Sequence, residues 1–224
     1  MASAATASPR TFQVGIICGS QRIIRAGPQI TTFIQQTISS HLAATTRSSS
    51  SGHTFALELI DVAALNLPLS DESGIPSKIT SADGYEHEHT RAWSRRVAAL
   101  DAFVFVSPQY NWGIPAGLKN AIDHLFNEWR GKPAAIVTYG GHGGDKCAAA
   151  LKVVLGGGID MHVVDPPVCL TFPGREFLVK AATGKELGLD GTAEEGPWGD
   201  RRADVIKAWE GLVSMLVEEK SGAV

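Results

Sequence analysis

The strongest constraint on this chain is the alternation of two hydrophobic periods along it. Residues 12–18 (FQVGIIC), 54–60 (TFALELI), 102–106 (AFVFV) and 134–138 (AAIVT) are short apolar runs rich in Val, Ile and Phe, bounded by turn-formers or charges. Such runs suit strands buried on both faces of a parallel sheet. Residues 161–164 with 168–170 form a weaker fifth run, interrupted by Pro166 and Pro167. Between the runs lie stripes with helical spacing: Ile30, Phe33, Ile34, Ile38 and Leu42; Leu118, Ala121, Ile122, Leu125, Phe126 and Trp129; Val205, Ile206, Trp209, Leu212, Val213, Leu216 and Val217. Trp93, Val97 and Leu100 make a looser stripe, and residues 146–155 read as a further helix ended by Gly156–Gly158. All face a core. The rhythm predicts an α/β fold with a five-stranded, doubly wound parallel sheet and helices on both faces.

The length of 224 residues suits one well-filled core and not two ordinary domains. Residues 12–224 are therefore read as a single domain, and residues 1–11, Ala/Ser-rich at the start, as a flexible tail. Residues 45–52, 66–85 and 173–201 read as loops, the last two longer than ordinary connections. A net charge of -3 offers no basic excess for nucleic acid or an anionic membrane, so an anion must be held by a few local residues. No apolar run reaches the ~18 residues of a spanning helix. Cys18, Cys147 and Cys169 are odd in number, with no C-x-x-C pair. They give neither a disulfide framework nor a zinc signature, and they suit a reducing, cytoplasmic setting.

Ligands of open parallel sheets bind beyond the carboxyl ends of the strands, where strand order reverses. Three strand ends here carry unusual sequence. After the first run comes Gly19-Ser20-Gln21-Arg22, continuing through Arg25 to Gly27-Pro28, where a helix opens. A turn at a helix start points N–H groups outward as a phosphate seat, and Ser20, Arg22 and Arg25 add donors. The bland reading is an ordinary turn with solvated arginines. After the third run, Ser107 to Pro115 (SPQYNWGIP) combines two prolines and a glycine with the flat faces of Tyr110 and Trp112, suited to a planar heteroaromatic ring or to a packed corner. After the fourth, Tyr139-Gly140-Gly141-His142-Gly143-Gly144 lets backbone approach a ligand closely. Neither G-x-G-x-x-G after Cys18 nor G-x-x-x-x-G-K-[ST] is present, which favours a mononucleotide over a dinucleotide.

Together these residues resemble the NAD(P)H-dependent FMN reductases and the related quinone and azo reductases. The resemblance rests on Gly19, Ser20 and Arg22, on the long motif from Pro108 to Asp123 (PQYNWGIPAGLKNAID), and on Tyr139 to Gly144, and it covers residues 12–170. Glu128-Trp129 followed by Gly131-Lys132-Pro133 looks most like eukaryotic members. The resemblance implies a flavodoxin-like sheet holding FMN, with NADPH or NADH as co-substrate. It implies that Ser20 and Arg22 bind the FMN phosphate with Arg25 assisting. It further implies that Pro108, Gln109, Tyr110 and Asn111 line the isoalloxazine ring, and that Tyr139, Gly140, Gly141 and His142 cover its pyrimidine end. Many members carry serine and asparagine after the arginine; here the chain reads Ile23-Ile24-Arg25-Ala26, which shifts weight onto Arg25 and backbone amides.

In such an enzyme hydride passes from the nicotinamide to the flavin and on to a small acceptor by a ping-pong mechanism, with chemistry at flavin N5 and no catalytic side chain. The acceptor classes are a quinone, free FMN, an azo compound or ferric ion. A flavodoxin-type electron carrier and a flavin-dependent redox-regulatory partner protein are the competing readings, the first weakened by the small net charge. His87-Glu88-His89 is not read as a metal site, since its histidines stand two apart without further ligands in sequence. Asp123 and His124 read as structural or interface residues. The family resemblance, with Trp112, Leu118, Phe126 and Trp129 as apolar surface, predicts a homodimer.

Overall fold

A computed structural model describes residues 9–45 and 52–221. Most of the expected tail and loop 45–52 therefore lie outside the described residues. The elements are β1 (Thr11–Cys18), α1 (Gly27–Thr45), β2 (Thr54–Asp61), α2 (Val62–Leu65), α3 (Glu88–Ala98), β3 (Ala102–Pro108), α4 (Ala116–Asp123), β4 (Pro133–Gly140), α5 (Asp145–Lys152), β5 (His162–Val163), β6 (Val168–Thr171), α6 (Arg175–Thr183) and α7 (Arg202–Ser221). The sheet runs β2-β1-β3-β4, and both β5 and β6 pair with β4. Every pairing is parallel. All seven residues of β3 are buried, as expected for a central strand covered on both faces.

Two apolar clusters sandwich the sheet. On one face Ile30, Phe33 and Ile34 of α1 and Val205, Trp209 and Leu212 of α7 meet Val14, Ile16, Val104 and Val137. On the other, Trp93 and Val97 of α3, Leu118 and Ile122 of α4 and Leu151 of α5 meet Ile17, Phe103, Phe105 and Ile136. This is the doubly wound, flavodoxin-like arrangement.

Six details differ from the sequence reading. The fifth run becomes two short strands sharing one edge of β4, because Pro166 and Pro167 carry no N–H to continue a ladder. Thr11, placed in the tail by sequence, opens β1, and Arg10 pairs with Asp101. The stripe from Leu118 to Trp129 is one helix only as far as Asp123; beyond it the chain turns, yet Leu125 and Trp129 still reach the core. Helix α5 stops at Lys152, and a π-helical turn carries Val153–Gly158. Finally, the stretch expected to be a loop at 173–201 contains α6, closed by Gly184 at φ 70°. Leu118 and Trp129 are also 1% and 0% exposed inside this protomer, so two of the four residues behind the expected dimer surface are not surface; Trp112 is 67% exposed.

Candidate active site

Strand register decides where the three unusual turns emerge. Cys18 lies beside Asp61 and Val106, and Pro108 beside Tyr139. The Gly19 N–H donates to the Val106 carbonyl at 2.9 Å. The segments after β1, β3 and β4 therefore leave from one sheet edge, at the β1/β3 reversal of strand order. They enclose a cleft of about 330 Å³ lined by Ser20, Arg22, Arg25, Pro108, Gln109, Tyr110, Tyr139, Gly140 and Gly141. Nine of the eleven residues expected from sequence thus share one wall. Asn111 and His142 stand one residue beyond it, both exposed.

The β1–α1 turn is built around tight contacts. Ser20 is 1% exposed. A Cβ added at Gly27 would lie 1.9 Å from the Ser20 hydroxyl and 2.9 Å from the Tyr139 hydroxyl, so only glycine lets the helix start this close to both. The Tyr139 hydroxyl is buried beside the Ser20 hydroxyl, outside ordinary hydrogen-bond geometry. Burial pushes its phenol well above the ordinary value, so it stays a neutral donor. The Tyr139 hydroxyl sits at the turn beside Ser20, and its ring stacks toward Phe172 at 6.3 Å.

The two arginines differ. Arg25 donates to both oxygens of Asp61, at 2.8 and 2.6 Å, and also to the Ser20 carbonyl. Asp61 in turn accepts from the Ala63 N–H at 3.1 Å, capping α2. The hydrogen bond from Arg25 holds the Asp61 carboxyl below its usual range against the opposing effect of burial. Arg25 thus clamps the turn to the end of β2 and brings a neutralised charge. Arg22 instead lies over the Tyr110 ring at 4.0 Å, a cation–π contact that leaves its N–H groups free to meet an anion.

The β3–α4 segment is a two-residue hairpin. Tyr110 and Gly113 exchange backbone hydrogen bonds at 3.1 and 3.0 Å. Asn111 and Trp112 occupy its centre at φ 47° and 65°. Left-handed backbone at a tryptophan is strained, and here the paired flanks hold it. The Gln109 side-chain oxygen accepts from the N–H groups of Lys146 and Cys147 at 3.0 and 3.1 Å, closing the first turn of α5. Burial pushes the neighbouring Cys147 thiol up to about 11, against the opposing effect of its hydrogen bond with Ser107, so it is no nucleophile at neutral pH.

Sequence reasoning missed one wall. Leu178, Ala181 and Ala182 of α6, with Phe172 and Ile24, complete the cleft. The signal was present: Phe177, Leu178 and Ala181 recur with helical spacing, and Gly184 supplies a stop.

A 2-1-3-4-5 parallel sheet with a cleft at its β1/β3 reversal defines a protein of the flavodoxin-like class. The family model for NADPH-dependent FMN reductases matches residues 12–171, and the chain belongs to that family. It is 46% identical over 155 residues to an NAD(P)H-dependent FMN reductase of Saccharomyces cerevisiae, covering 68% of this chain and 78% of the relative. It is 31% identical over 210 residues to one from Nectria sp, covering 93% and 98%. Among solved structures, the flavoenzyme NAD(P)H:(acceptor) oxidoreductase FerB of Paracoccus denitrificans superposes with TM-score 0.62 at 21% identity, over 91% of this chain and 98% of that one. The last shows the fold. The chain is thus an NAD(P)H-dependent oxidoreductase of a family that works with FMN. Among the described residues, no helix is long and apolar enough to cross a membrane.

Proposed function

We propose that this chain holds FMN in the cleft and carries hydride from NADPH or NADH to a small acceptor by a ping-pong sequence, the acceptor being a quinone, free FMN, an azo compound or ferric ion. The observation that carries this is the pairing of two chemistries in one cleft. A glycine-tight helix start with the Ser20 hydroxyl, the buried Tyr139 hydroxyl and Arg22 shares the cleft with flat and backbone surfaces from Pro108, Gln109, Tyr110, Gly140 and Gly141, Arg22 and Tyr110 being in direct contact. Such a set fits a phosphate monoester joined to a planar ring.

Ser20, Arg22 and the start of α1 would hold the phosphate, and Arg25 would hold the turn that presents them. Pro108, Gln109 and Tyr110 would border the ring, with Gly140 and Gly141 closing its edge; Asn111 and His142 would lie at the margin. Bound FMN supplies a ring that takes up a hydride and hands both electrons on. The chain's own work is orientation, exclusion of water along the apolar wall of Phe172 and Leu178, and an open face that nicotinamide and acceptor use in turn. A homodimer belongs to this reading on the family resemblance and exposed Trp112.

The purified chain should be yellow and release FMN on denaturation. NADPH oxidation with menadione should give parallel initial-rate lines, and light scattering a mass of two chains. A colourless protein that does not take up added FMN defeats the proposal; flavin binding without nicotinamide turnover would favour the carrier. Converging lines would remove the ping-pong sequence alone, and a monomeric mass the dimer alone.

A further inference from the structure

Away from the cleft, the fold gives His89 the companions that its sequence neighbourhood lacks. Asp71, in the long segment between α2 and α3, lies with Oδ1 at 3.1 Å from His89 Nε2 and 3.7 Å from His124 Nε2. Candidate ligand atoms of Asp71, His89 and His124 all fall within 4.8 Å of one another. None of the three lines the flavin-type cleft.

His124, just beyond α4, carries the argument. Its side chain is 0% exposed. Its Nδ1 lies 2.8 Å from the Asn120 carbonyl, which can only accept, so Nδ1 bears the hydrogen and a neutral ring has its lone pair on Nε2. That Nε2 is buried without a hydrogen-bond partner and faces the Asp71 carboxylate, itself an acceptor. Two acceptors opposed at 3.7 Å call for a proton on Nε2 or a metal ion between them. A histidine whose other nitrogen is fixed by a backbone carbonyl is also the usual setting of a metal ligand. The rings of His89 and His124 meet edge to face, with centroids 6.2 Å apart and planes at 77°, so the two imidazoles approach the carboxylate from different directions.

We propose that Asp71, His89 and His124 bind a zinc(II) ion, with water in the fourth position. Two imidazoles and a carboxylate with one open place are a zinc donor set, whereas magnesium and calcium prefer oxygen alone. The solvent-facing side of Asp71, 34% exposed, leaves an entry path. The ion would join three separate elements: the 66–85 segment, the first turn of α3 and the end of α4. That segment is already held to α4 by Asn120, whose Nδ2 donates to the Pro68 carbonyl at 2.8 Å and whose Oδ1 accepts from the Ser70 N–H at 3.0 Å. Zinc would complete the seam.

The test uses the tag-free full chain, stripped with a chelator and titrated with zinc sulfate against a competing chromophoric chelator. We expect uptake of one equivalent. At a zinc concentration about a hundred times Kd the melting temperature should rise by roughly 5–10 °C. H89Q and H124Q should each weaken binding at least ~10–100-fold and erase the zinc-dependent rise in melting temperature. If H124Q fails to fold, the half-exposed H89Q decides the matter alone. Absence of zinc uptake by the wild-type chain, or uptake that H89Q leaves unchanged, would overturn the site.

Discussion

Arg22 and Arg25 stand three positions apart and meet opposite environments. Arg25 is satisfied by Asp61 and the Ser20 carbonyl, whereas Arg22 rests on the Tyr110 ring within the cleft wall. Arg22→Ala should therefore weaken FMN binding by about 10–100-fold, the value of one charge-assisted hydrogen bond, with little change in melting temperature. Arg25→Ala should do the reverse: a lower melting temperature, because Asp61 loses its partner, and a smaller loss of affinity. The sign of its pH dependence follows from Asp61, whose folded pKa lies below the ordinary 3.8. A depressed carboxylate contributes stability that is present above its unfolded pKa and fades as pH falls through the folded one. The melting-temperature gap between wild type and Arg25→Ala should accordingly close below about pH 4. A gap that persists in acid would show that Arg25 acts through packing and not through this pair.

Among the elements, α6 is the one that converts a groove into a cleft. Phe177 anchors it, 6% exposed, with its ring 5.2 Å from Phe172 and 5.1 Å from Trp198. Phe177→Ala should cost about 3–5 kcal/mol and lower the melting temperature by roughly 6–20 °C. It should also speed FMN release, measured by recovery of free-flavin fluorescence; an unchanged release rate would exclude α6 as part of the binding wall. The strands and the main core helices were legible in sequence because a two-sided sheet writes itself as unbroken runs of Val, Ile and Phe, and its helices as stripes. Helix α6 left only a brief trace, Phe177, Leu178 and Ala181 before Gly184, which a nine-residue helix among glycines and charges makes easy to read as loop. The site was legible as three motifs. What sequence left open was the division of labour within them: Arg25 bound to Asp61, Tyr139 turned toward Ser20, and Gln109 turned toward α5. These are contacts between residues far apart in the chain, set by strand register, which no local pattern encodes.

At the scale of the whole molecule, a net charge of -3 coexists with a cleft bearing arginines. Anion binding is then a short-range effect of local donors, working against a weakly repulsive background. Riboflavin, which lacks the phosphate, should bind at least ~100-fold more weakly than FMN, the equivalent of one to two charge-assisted hydrogen bonds. Raising salt from about 0.05 to 0.5 M should weaken FMN binding several-fold while leaving riboflavin nearly unaffected. Equal affinities for the two flavins, read by fluorescence titration, would remove the phosphate from the recognition argument.

The bond from Gln109 to the amides of Lys146 and Cys147 has a mechanical consequence. One oxygen joins the hairpin after β3 to the helix after β4, so neither can drift from the other without stripping two peptide groups of their acceptor. One bank of the basin is thereby riveted to the helix behind it, and whatever enters must fit that bank as it stands or displace both at once.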